Sequence, residues 1–450
     1  MNNQNKFNEL REMYQDFIYD KYEYNYDNNY LNIKYYFEII NLTKFNPEIK
    51  IKIDEIKEYV DKKYLEYLIF QIGLIELISY IKCTCSKNII IRAGYINKKQ
   101  IEFLNKLLIN GLGEFFYTNK IKVDKDNLFN IVCEKEEEKL PTNNYIGKGN
   151  IICVGGGKDS CVSLEILKNE ENNSCLIINP KLPTISCAKV AGYNEDNTII
   201  VERILDKKII ELNNKGYLNG HTPFSAVVAF ISYLCAYLYG KKNIILSNES
   251  SSNESTVHGT NINHQYSKTY EFENDFNNYT KEYNLDIKYF SLLRGLSEFQ
   301  IANLFSHYKK YHKVFKSCNL GSKEKEWNWC CCCAKCLFIY IILSPFLEKE
   351  ELIDIFKEDL FEREDLKDLF IEILGYSENK PFECVGTYEE ARYAVSLTIS
   401  KSKNLPYLLK YYKDNYELEL DGEEIKKYNE KNNIDEYYNN LVKKEVNKYV

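Results

Sequence analysis

The sequence predicts an α/β protein with a doubly wound parallel sheet, an N-terminal α+β domain before it and a helical C-terminal region after it. From residue 149, short apolar runs alternate with amphipathic stretches, which is typical of βαβ units. A glycine-rich turn joins the first of these runs to a helix-forming segment. With 450 residues, 44% of them hydrophobic, the chain can bury the cores of two or three domains.

Residues 1–145 are predicted to form the N-terminal domain. Two β-rich runs, 33–40 and 45–53, flank a short polar turn and favour a hairpin. Helical patterns follow at 55–82 and 97–109. The apolar run from Tyr64 to Lys82 carries three polar side chains that would be costly in hydrocarbon, so it is interpreted as a buried helix. The charged segment 134–145 is interpreted as a linker.

Residues 146–345 are predicted to form the central domain, and residues 346–450 a helical region. The expected strands of the central domain are N-I-I-C-V, S-C-L-I-I-N, N-T-I-I-V-E, N-I-I-L-S and L-D-I-K-Y-F-S. Their apolar character suits strands that are buried on both faces of a sheet. Helical patterns follow at 334–347, 350–357, 363–374 and 387–399, and the tail from 405 is interpreted as a polar helical appendage.

Charge and targeting signals narrow the class of protein. The net charge of -7 argues against an electrostatic grip on nucleic acid, which needs clustered Lys and Arg. The N-terminus lacks the basic and then apolar pattern of a signal peptide. We therefore expect a cytoplasmic protein without a membrane or nucleic-acid partner.

The glycine-rich turn lies in I-I-C-V-G-G-G-K-D-S-C-V-S-L, residues 151–164. Three consecutive glycines let the backbone approach a ligand, and the N–H groups of the helix that follows attract an anion. The turn has neither the Walker nor the Rossmann spacing. A phosphate site is predicted here, and a plain glycine turn with Asp159 as helix cap is the alternative.

Cysteines form the second candidate site. Six of the fifteen fall between Cys318 and Cys336, and a C-x2-C step directs two thiolates toward one ion. Adjacent cysteines tend to point apart, so the run cannot bind metal as a block. The predicted ligands of a structural Zn²⁺ are Cys318, Cys330, Cys333 and Cys336, with Cys331 and Cys332 as spectators. Free thiols without metal are the alternative.

A polar loop follows the predicted strand N-I-I-L-S and contains S-N-E-S twice. Open α/β sheets bind ligands at the carboxyl ends of their strands, so this loop is a candidate substrate site. Its candidate residues are Ser247, Asn248, Glu249, Asn253 and Glu254.

Catalytic candidates come from the segment after this loop. If that segment is helical, His264, Lys268 and Glu271 share one face at i, i+4 and i+7. A base, a cation and an acid together would suit proton transfer. A solvated helix face or a core histidine is the alternative for any one of them. His221, in the turn G-H-T-P-F-S, is interpreted as part of a pocket wall.

The glycine turn resembles the S-G-G-x-D-S loop of the ATP pyrophosphatase (PP-loop) superfamily, which cleaves ATP to AMP and pyrophosphate. Gly156, Gly157, Asp159 and Ser160 match it, Lys158 occupies the variable position, and Gly155 replaces the first serine. The resemblance implies a PP-loop (HUP-like) sheet that binds ATP at residues 155–160. The cysteine spacing likewise resembles the zinc knuckle of cyano-deazaguanine synthases, where a small residue such as Gly usually stands at the position of Cys331.

As a set, these motifs resemble the UDP-N-acetylmuramoyl-L-alanyl-L-glutamate epimerase family of peptidoglycan synthesis. The matching motifs include S-L-L-R-G-L-S-E-F-Q-I-A and P-F-E-C-V-G-T, and they span about 155–386. The resemblance implies an ATP- and Mg²⁺-dependent inversion of the terminal L-Glu of UDP-MurNAc-L-Ala-L-Glu, with release of AMP and pyrophosphate.

Two other functions are also compatible with the sequence. One is another PP-loop enzyme that activates a carboxylate, such as an amide- or nitrile-forming synthase, a tRNA-modifying enzyme or a natural-product peptide epimerase. Another is a zinc-stabilised binding protein with an inactive loop, which is disfavoured because Asp159 and Ser160 are both present.

Overall fold

A computed structural model describes residues 2–140, 145–256, 262–264, 266–318, 320–321, 328–377 and 380–449. The strands within these ranges are β1 Asp16–Asp27, β2 Tyr30–Ile39, β3 Thr43–Phe45, β4 Glu48–Lys52, β5 Asn88–Ile91, β6 Asn130–Cys133, β7 Asn150–Cys153, β8 Asn173–Ile178, β9 Thr198–Ile204, β10 Asn243–Leu246 and β11 Lys288–Ser291. The helices up to residue 280 are α1 Asn3–Met13, α2 Lys62–Glu76, α3 Ile78–Ile81, α4 Lys98–Gly111, α5 Gly113–Thr118, α6 Lys158–Ile166, α7 Leu182–Val190, α8 Lys208–Asn214, α9 Phe224–Leu238 and α10 Tyr270–Thr280. The later helices are α11 Glu298–His307, α12 Ala334–Leu343, α13 Lys349–Phe356, α14 Lys367–Ile373, α15 Tyr388–Lys401, α16 Tyr407–Asn415, α17 Glu423–Lys426 and α18 Glu436–Val446.

The chain forms two compact units, each built from three separate segments. Unit 1 contains residues 1–151, 199–244 and 265–289, and unit 2 contains residues 152–198, 245–264 and 290–450. Four strands, β7, β9, β10 and β11, cross the boundaries between these segments. The architecture is mixed α/β with a helical C-terminal region, as the sequence predicts.

Unit 1 is built on strands in the order β9-β4-β2-β1-β5-β6, with β3 beside β2. The long hairpin β1–β2 turns at Asn28 and Asn29, which both have positive φ angles of 51° and 60°. Two successive left-handed residues give the tight turn that matches the twist of a hairpin, and Asn tolerates that conformation. β4 pairs antiparallel with both β2 and β9.

The other edge of the sheet of unit 1 is parallel. β5 pairs parallel with β1 and with β6, and the connection from β5 to β6 passes through α4 and α5. Asn97 and Gln100 form a capping box at the start of α4. This edge is therefore a βαβ unit, which needs a helical crossover because parallel strands cannot be joined by a tight turn.

The core helix of unit 1 comes from the apolar run near residue 64. Among the described residues, one stretch, Lys62–Ile81, is long and apolar enough to cross a membrane, and 89% of its most apolar 18-residue window is buried inside the protein. Asp61 caps α2 by accepting from two backbone N–H groups. The stretch is a buried core helix, as predicted, although it begins at Lys62 and not at residue 55.

Unit 2 contains β8, the carboxyl ends of β7, β10 and β11, and the helices from α11 onward. Its strands lie in the order β11-β10-β7-β8. The N–H of Leu292 donates to the carbonyl of Leu246, and four residues earlier Lys288 donates to Lys242, so β10 and β11 run parallel. Helix α6 connects the neighbouring strands β7 and β8. The carboxyl ends of these strands carry the motifs singled out in the sequence.

Most predicted elements are present, with a few differences. All five strands expected after residue 149 form, and the hairpin expected near 31–53 is the antiparallel pair β2–β4. β1 is absent from the elements predicted from the sequence. Its D-F-I-Y-D-K-Y-E-Y-N-Y-D pattern is polar beyond residue 19, because that part is half-buried or exposed.

Candidate functional site

The glycine turn lies between β7 and α6 in unit 2. Gly156 has φ +81°, and a Cβ there would lie 3.0 Å from the N of Thr184. A Cβ on Gly157, the N-cap of α6, would lie 2.7 Å from Ser317 Oγ. Gly155 differs, because a Cβ there would meet nothing within 4 Å. Gly156 is therefore required by the fold, Gly157 meets only a side-chain hydroxyl that can rotate away, and Gly155 leaves open space.

The backbone of this turn is tied to a neighbouring loop. Lys316 N–H donates to the Gly156 carbonyl over 2.9 Å, and Ser160 Oγ donates to the Gly157 carbonyl over 2.9 Å. The first-turn N–H groups of a helix have no partner within the helix. The start of α6 therefore offers donors for an anion at the predicted phosphate site.

Lys158 is fully buried and ion-paired. Its Nζ contacts the carboxylates of Asp159 and Glu298, and the side-chain exposures of Lys158 and Glu298 are 0% and 2%. Burial alone would lower the pKa of Lys158, but the two carboxylates outweigh it and the pKa is raised. Burial raises the pKa of Glu298, although Lys158 opposes that shift. The pair links the start of α6 to the start of α11.

Glu390 contacts the starts of two helices. Its Oε1 accepts from Glu298 N–H at the start of α11, and its Oε2 accepts from Thr387 N–H at the start of α15, both over 2.7 Å. Burial, with Glu298 next in effect, raises the pKa of Glu390 to about 7. A Cβ on Gly386 would lie 2.6 Å from Glu390 Oε2, so only glycine permits this approach.

The predicted substrate loop begins at the carboxyl end of β10. Ser247 Oγ lies 2.7 Å from Ser163 Oγ of α6, and Asn248 Nδ2 donates to Ser291 Oγ over 3.0 Å. Asn253 Nδ2 donates within the loop to the carbonyl of Ser250. The loop is thus attached to α6 and to β11 by short polar contacts.

Buried cations hold the other residues of this loop. Arg294 is 0% exposed, and its Nη1 donates to the Glu249 carbonyl and to Ser252 Oγ over 2.9 and 2.6 Å. Lys380 forms an ion pair with Glu254 over 2.5 Å. Because these partners lie far along the sequence, the shape of the loop depends on tertiary contacts.

Three carboxylates converge beside the glycine turn. One oxygen from each of Asp159, Glu249 and Glu298 lies within 4.8 Å of the others, and the two glutamates are buried. Carboxylate oxygens are the ligands that Mg²⁺ prefers, usually in one or two per site. The donor set fits Mg²⁺ held between protein and phosphate oxygens.

The four predicted cysteine ligands come together in unit 2. The sulfurs of Cys318, Cys330, Cys333 and Cys336 all lie within 4.8 Å of one another. Cys336 Sγ lies 3.7 Å from Cys330 Sγ and 3.5 Å from Cys333 Sγ. Tetrahedral Zn²⁺ with Zn–S bonds of about 2.3 Å needs sulfurs about 3.8 Å apart. The donor set fits a structural zinc.

Several hydrogen-bond donors surround the sulfur of Cys318. Backbone N–H groups of Gly321 and Cys330 donate to its sulfur over 3.0 and 3.4 Å. Hydrogen bonds from the thiols of Cys333 and Cys336 also lower its pKa well below the ordinary value. Such donors stabilise a negative sulfur, which is the form that binds metal.

Of the two cysteines set aside by spacing, Cys331 points away from the cluster, whereas Cys332 lies against Cys330. Cys331 Sγ donates to the Phe356 carbonyl over 3.3 Å, and burial raises its pKa to about 12. Its backbone has φ +55°, a conformation that favours glycine. Cys332 is exposed. The positive φ explains why a glycine would suit the position of Cys331.

The helix assumed for the catalytic candidates is not continuous, so the argument from a shared face was wrong. α10 begins only at Tyr270, where Thr269 Oγ1 accepts from Phe272 N–H. A short 3-10 turn covers residues 266–268, and His264 precedes it in a turn. Thr269 competes for the backbone as an N-cap and starts a new helix. Glu271 forms an ion pair with Lys106 of α4 over 2.7 Å.

His221 lies before α9 in unit 1, and its Nδ1 is 3.4 Å from Glu114 Oε2.

Sequence reasoning missed the roles of several residues in unit 2. The buried charged side chains around the glycine turn and the loop are Arg294, Glu298, Lys380 and Glu390. The first two lie in S-L-L-R-G-L-S-E-F-Q-I-A, and Glu390 follows P-F-E-C-V-G-T. A charged residue in an otherwise apolar helical pattern was the available signal, but its partner could not be identified from sequence.

Comparisons with known proteins bear on the whole chain. Two family models match in chain order, the MurL N-terminal domain at residues 8–292 and the MurL C-terminal domain at residues 314–415. A protein of Xanthomonas oryzae pv. oryzae is 32% identical over 339 residues, which are 73% of this chain and 74% of that protein. Proteins of a Micromonospora species and of Salinispora tropica are 31% and 32% identical over 329 residues, 71% of this chain and 72% and 70% of their own lengths. All three are named UDP-N-acetyl-alpha-D-muramoyl-L-alanyl-L-glutamate epimerase.

Proposed function

Because the chain belongs to the MurL epimerase family, we propose that it inverts the terminal L-Glu of UDP-MurNAc-L-Ala-L-Glu to D-Glu in the synthesis of peptidoglycan precursors. The observation that carries this proposal is the match of both family models, in order, over most of the chain. The substrate is a small nucleotide-linked peptide, and no nucleic acid or membrane enters the proposal. A cytoplasmic location suits ATP, a nucleotide-linked substrate and a site of four reduced thiols.

We further propose that the reaction depends on ATP. When bound, ATP would supply an adenylyl group to the glutamate carboxylate with loss of pyrophosphate, which makes the α-proton removable, and water would then release AMP and restore the carboxylate. Support comes from the glycine turn at residues 155–160, which places helix N–H donors beside a buried lysine. A PP-loop type sheet built on β7, β8, β10 and β11 is part of this proposal.

The residues around the turn would have distinct tasks. The backbone N–H groups at the start of α6 would bind the pyrophosphate, and Asp159, Glu249 and Glu298 would hold Mg²⁺. The loop of Ser247, Asn248, Glu249, Asn253 and Glu254 would contact the peptide part of the substrate. Structural Zn²⁺ would sit on Cys318, Cys330, Cys333 and Cys336 and fix the start of α12.

His264 is our candidate for the epimerising base. Imidazole titrates near neutral pH and can exchange a proton with an activated α-carbon. If His264→Ala keeps full epimerase turnover, another residue is the base.

One assay tests the whole proposal. The purified protein is incubated with UDP-MurNAc-L-Ala-L-Glu, ATP and Mg²⁺ in D₂O, and the glutamate is analysed by chiral chromatography and mass spectrometry. We expect ATP-dependent D-Glu, deuterium at the α-carbon, and pyrophosphate. Formation of an amide only after ammonia is added would instead identify a carboxylate-activating synthase. Absence of both products and of pyrophosphate would reject the proposal.

A further inference from the structure

Three helices of unit 2 begin close to the predicted phosphate site, and side chains join their first turns. Lys158 begins α6 and Glu298 begins α11, and their side chains are ion-paired. Glu390, in the first turn of α15, accepts from the backbone N–H of Glu298. The glycine turn is thus connected to residue 390 through two buried contacts.

The contact between α11 and α15 is closely fitted. Glu390 is 3% exposed, and each of its two carboxylate oxygens accepts from the start of a different helix. A Cβ on Gly386 would lie 2.8 Å from Phe338 Cζ and 3.2 Å from Glu298 Cγ, besides its clash with Glu390. A side chain at position 386 would therefore displace the carboxylate of Glu390 from its place between the two helix starts. The position of Glu298 therefore depends on Glu390.

We propose that Glu390 is a positioning residue that holds Glu298 against Lys158 and so fixes the glycine turn for ATP. This inference rests on the proposed function. Glu390 would not touch ATP, because its oxygens are occupied by Glu298 N–H and Thr387 N–H. A glutamine in its place can accept with one atom only, so one of the two helix starts would lose its partner.

The same stretch of chain supports this role through further contacts. Lys380 pairs with Glu254 of the substrate loop. Glu383 Oε2 accepts from Lys335 N–H over 2.7 Å, beside Cys333 and Cys336. Residues 380–390 therefore contact the substrate loop, the helix start beside the cysteine cluster, and Glu298, which pairs with Lys158. Several such contacts from one segment are expected of an element that positions a site.

The test measures ATP affinity in the full-length protein. Variants Glu390→Gln and Glu389→Gln are titrated by calorimetry with Mg²⁺ and adenosine 5′-[α,β-methylene]triphosphate, and KM for ATP is measured from pyrophosphate release. Glu389 is the matched control, since it is the exposed neighbour in the same helical turn. We expect Glu390→Gln to raise Kd and KM at least tenfold, and Glu389→Gln to stay within twofold of wild type.

A purely structural role would give a different result. Partial unfolding lowers the number of active molecules and the apparent kcat but leaves KM and Kd unchanged. If Glu390→Gln binds the analogue within twofold of wild type, the inference is wrong. If Glu390→Gln does not fold, Gly386→Ala decides, because it displaces the same carboxylate without removing a charge, and an unchanged Kd there also refutes the inference. If the wild type does not bind the analogue, the ATP proposal fails as well.

Discussion

Neighbouring residues of one motif can differ sharply in which side chains their backbone conformation and surroundings allow. Gly156 has a left-handed backbone and lies close to Thr184, whereas Gly155 has neither constraint. Cys331 holds a left-handed conformation that ordinary side chains rarely adopt. These positions give direct tests at the scale of one residue.

Gly155→Ser is expected to be tolerated, and Gly156→Ala is not. The serine has open space and restores the hydroxyl of the superfamily loop, so the stability should hold and the Kd for the ATP analogue should stay equal or fall. The alanine must take a left-handed conformation, which costs about 1–2 kcal/mol, besides crowding Thr184. Urea unfolding and calorimetry of the two variants check this. Equal destabilisation by both would contradict it.

Cys331→Gly is expected to keep the metal, and Cys333→Ser to lose it. The glycine removes the strain of φ +55° but also the contact of Cys331 with Phe356, so the free energy of unfolding should change by less than about 1–2 kcal/mol. Zinc content per chain, measured by mass spectrometry, separates the variants. Loss of zinc in Cys331→Gly would show that the set of four is chosen wrongly.

At the scale of elements, unit 1 is held together by contacts between segments that are distant in sequence. Arg203 of β9 forms two hydrogen-bonded contacts with Glu76 of α2, over 2.7 and 3.0 Å, and one with Ser79 Oγ. The side chain of Arg203 is 10% exposed and that of Glu76 is 0% exposed. A buried, bidentate ion pair of this kind fixes a strand against the core helix.

Arg203→Met is expected to destabilise the protein by about 3–5 kcal/mol, because Glu76 would remain charged and buried without its partner. The matched control is Lys21→Met, which removes an exposed ion pair with Glu23 and should change nothing measurable. Chemical denaturation of both variants gives the comparison. A double variant with Glu76→Leu should recover much of the loss, and failure to do so would contradict the assignment to a buried charge.

At the scale of the whole molecule, stability depends on the protons bound by the folded and the unfolded chain. Lys82 is an example, because burial lowers its pKa to about 8 from 10.5 while its Nζ donates to the Gly220 carbonyl. Between these pH values the unfolded chain holds a proton that the folded chain has released. Stability attributable to Lys82 therefore rises with pH in this window.

The free energy of unfolding of the wild type is expected to rise by up to about 3 kcal/mol relative to that of Lys82→Met as the pH rises from 8 to 10.5. Urea unfolding of both proteins at several pH values, with a reductant present, measures the difference. Lys98→Met, at an exposed position, serves as control and should track the wild type. If the difference in unfolding free energy between wild type and Lys82→Met is constant or falls with pH, the lowered pKa of Lys82 is contradicted.

Local patterns with their own spacing were enough to predict the strands after residue 149, the glycine turn, the four cysteines and the family. Periodicity also predicted the buried helix near Tyr64. Helix boundaries were weaker, since Thr269 could be recognised as an N-cap only once the start of α10 was known. The assumed face of His264, Lys268 and Glu271 failed for that reason.

Which charged side chains meet could be seen only in the folded chain. Lys158 and Glu298 lie 140 residues apart, and Glu390 lies 92 residues beyond Glu298. No local pattern encodes such pairs, because burial and long-range packing select the partner of each charge. The fold alone also showed that Gly155 has room for a side chain and that Cys331 adopts a glycine-like conformation. Spacing identifies candidate groups, whereas three-dimensional packing determines which of them act together.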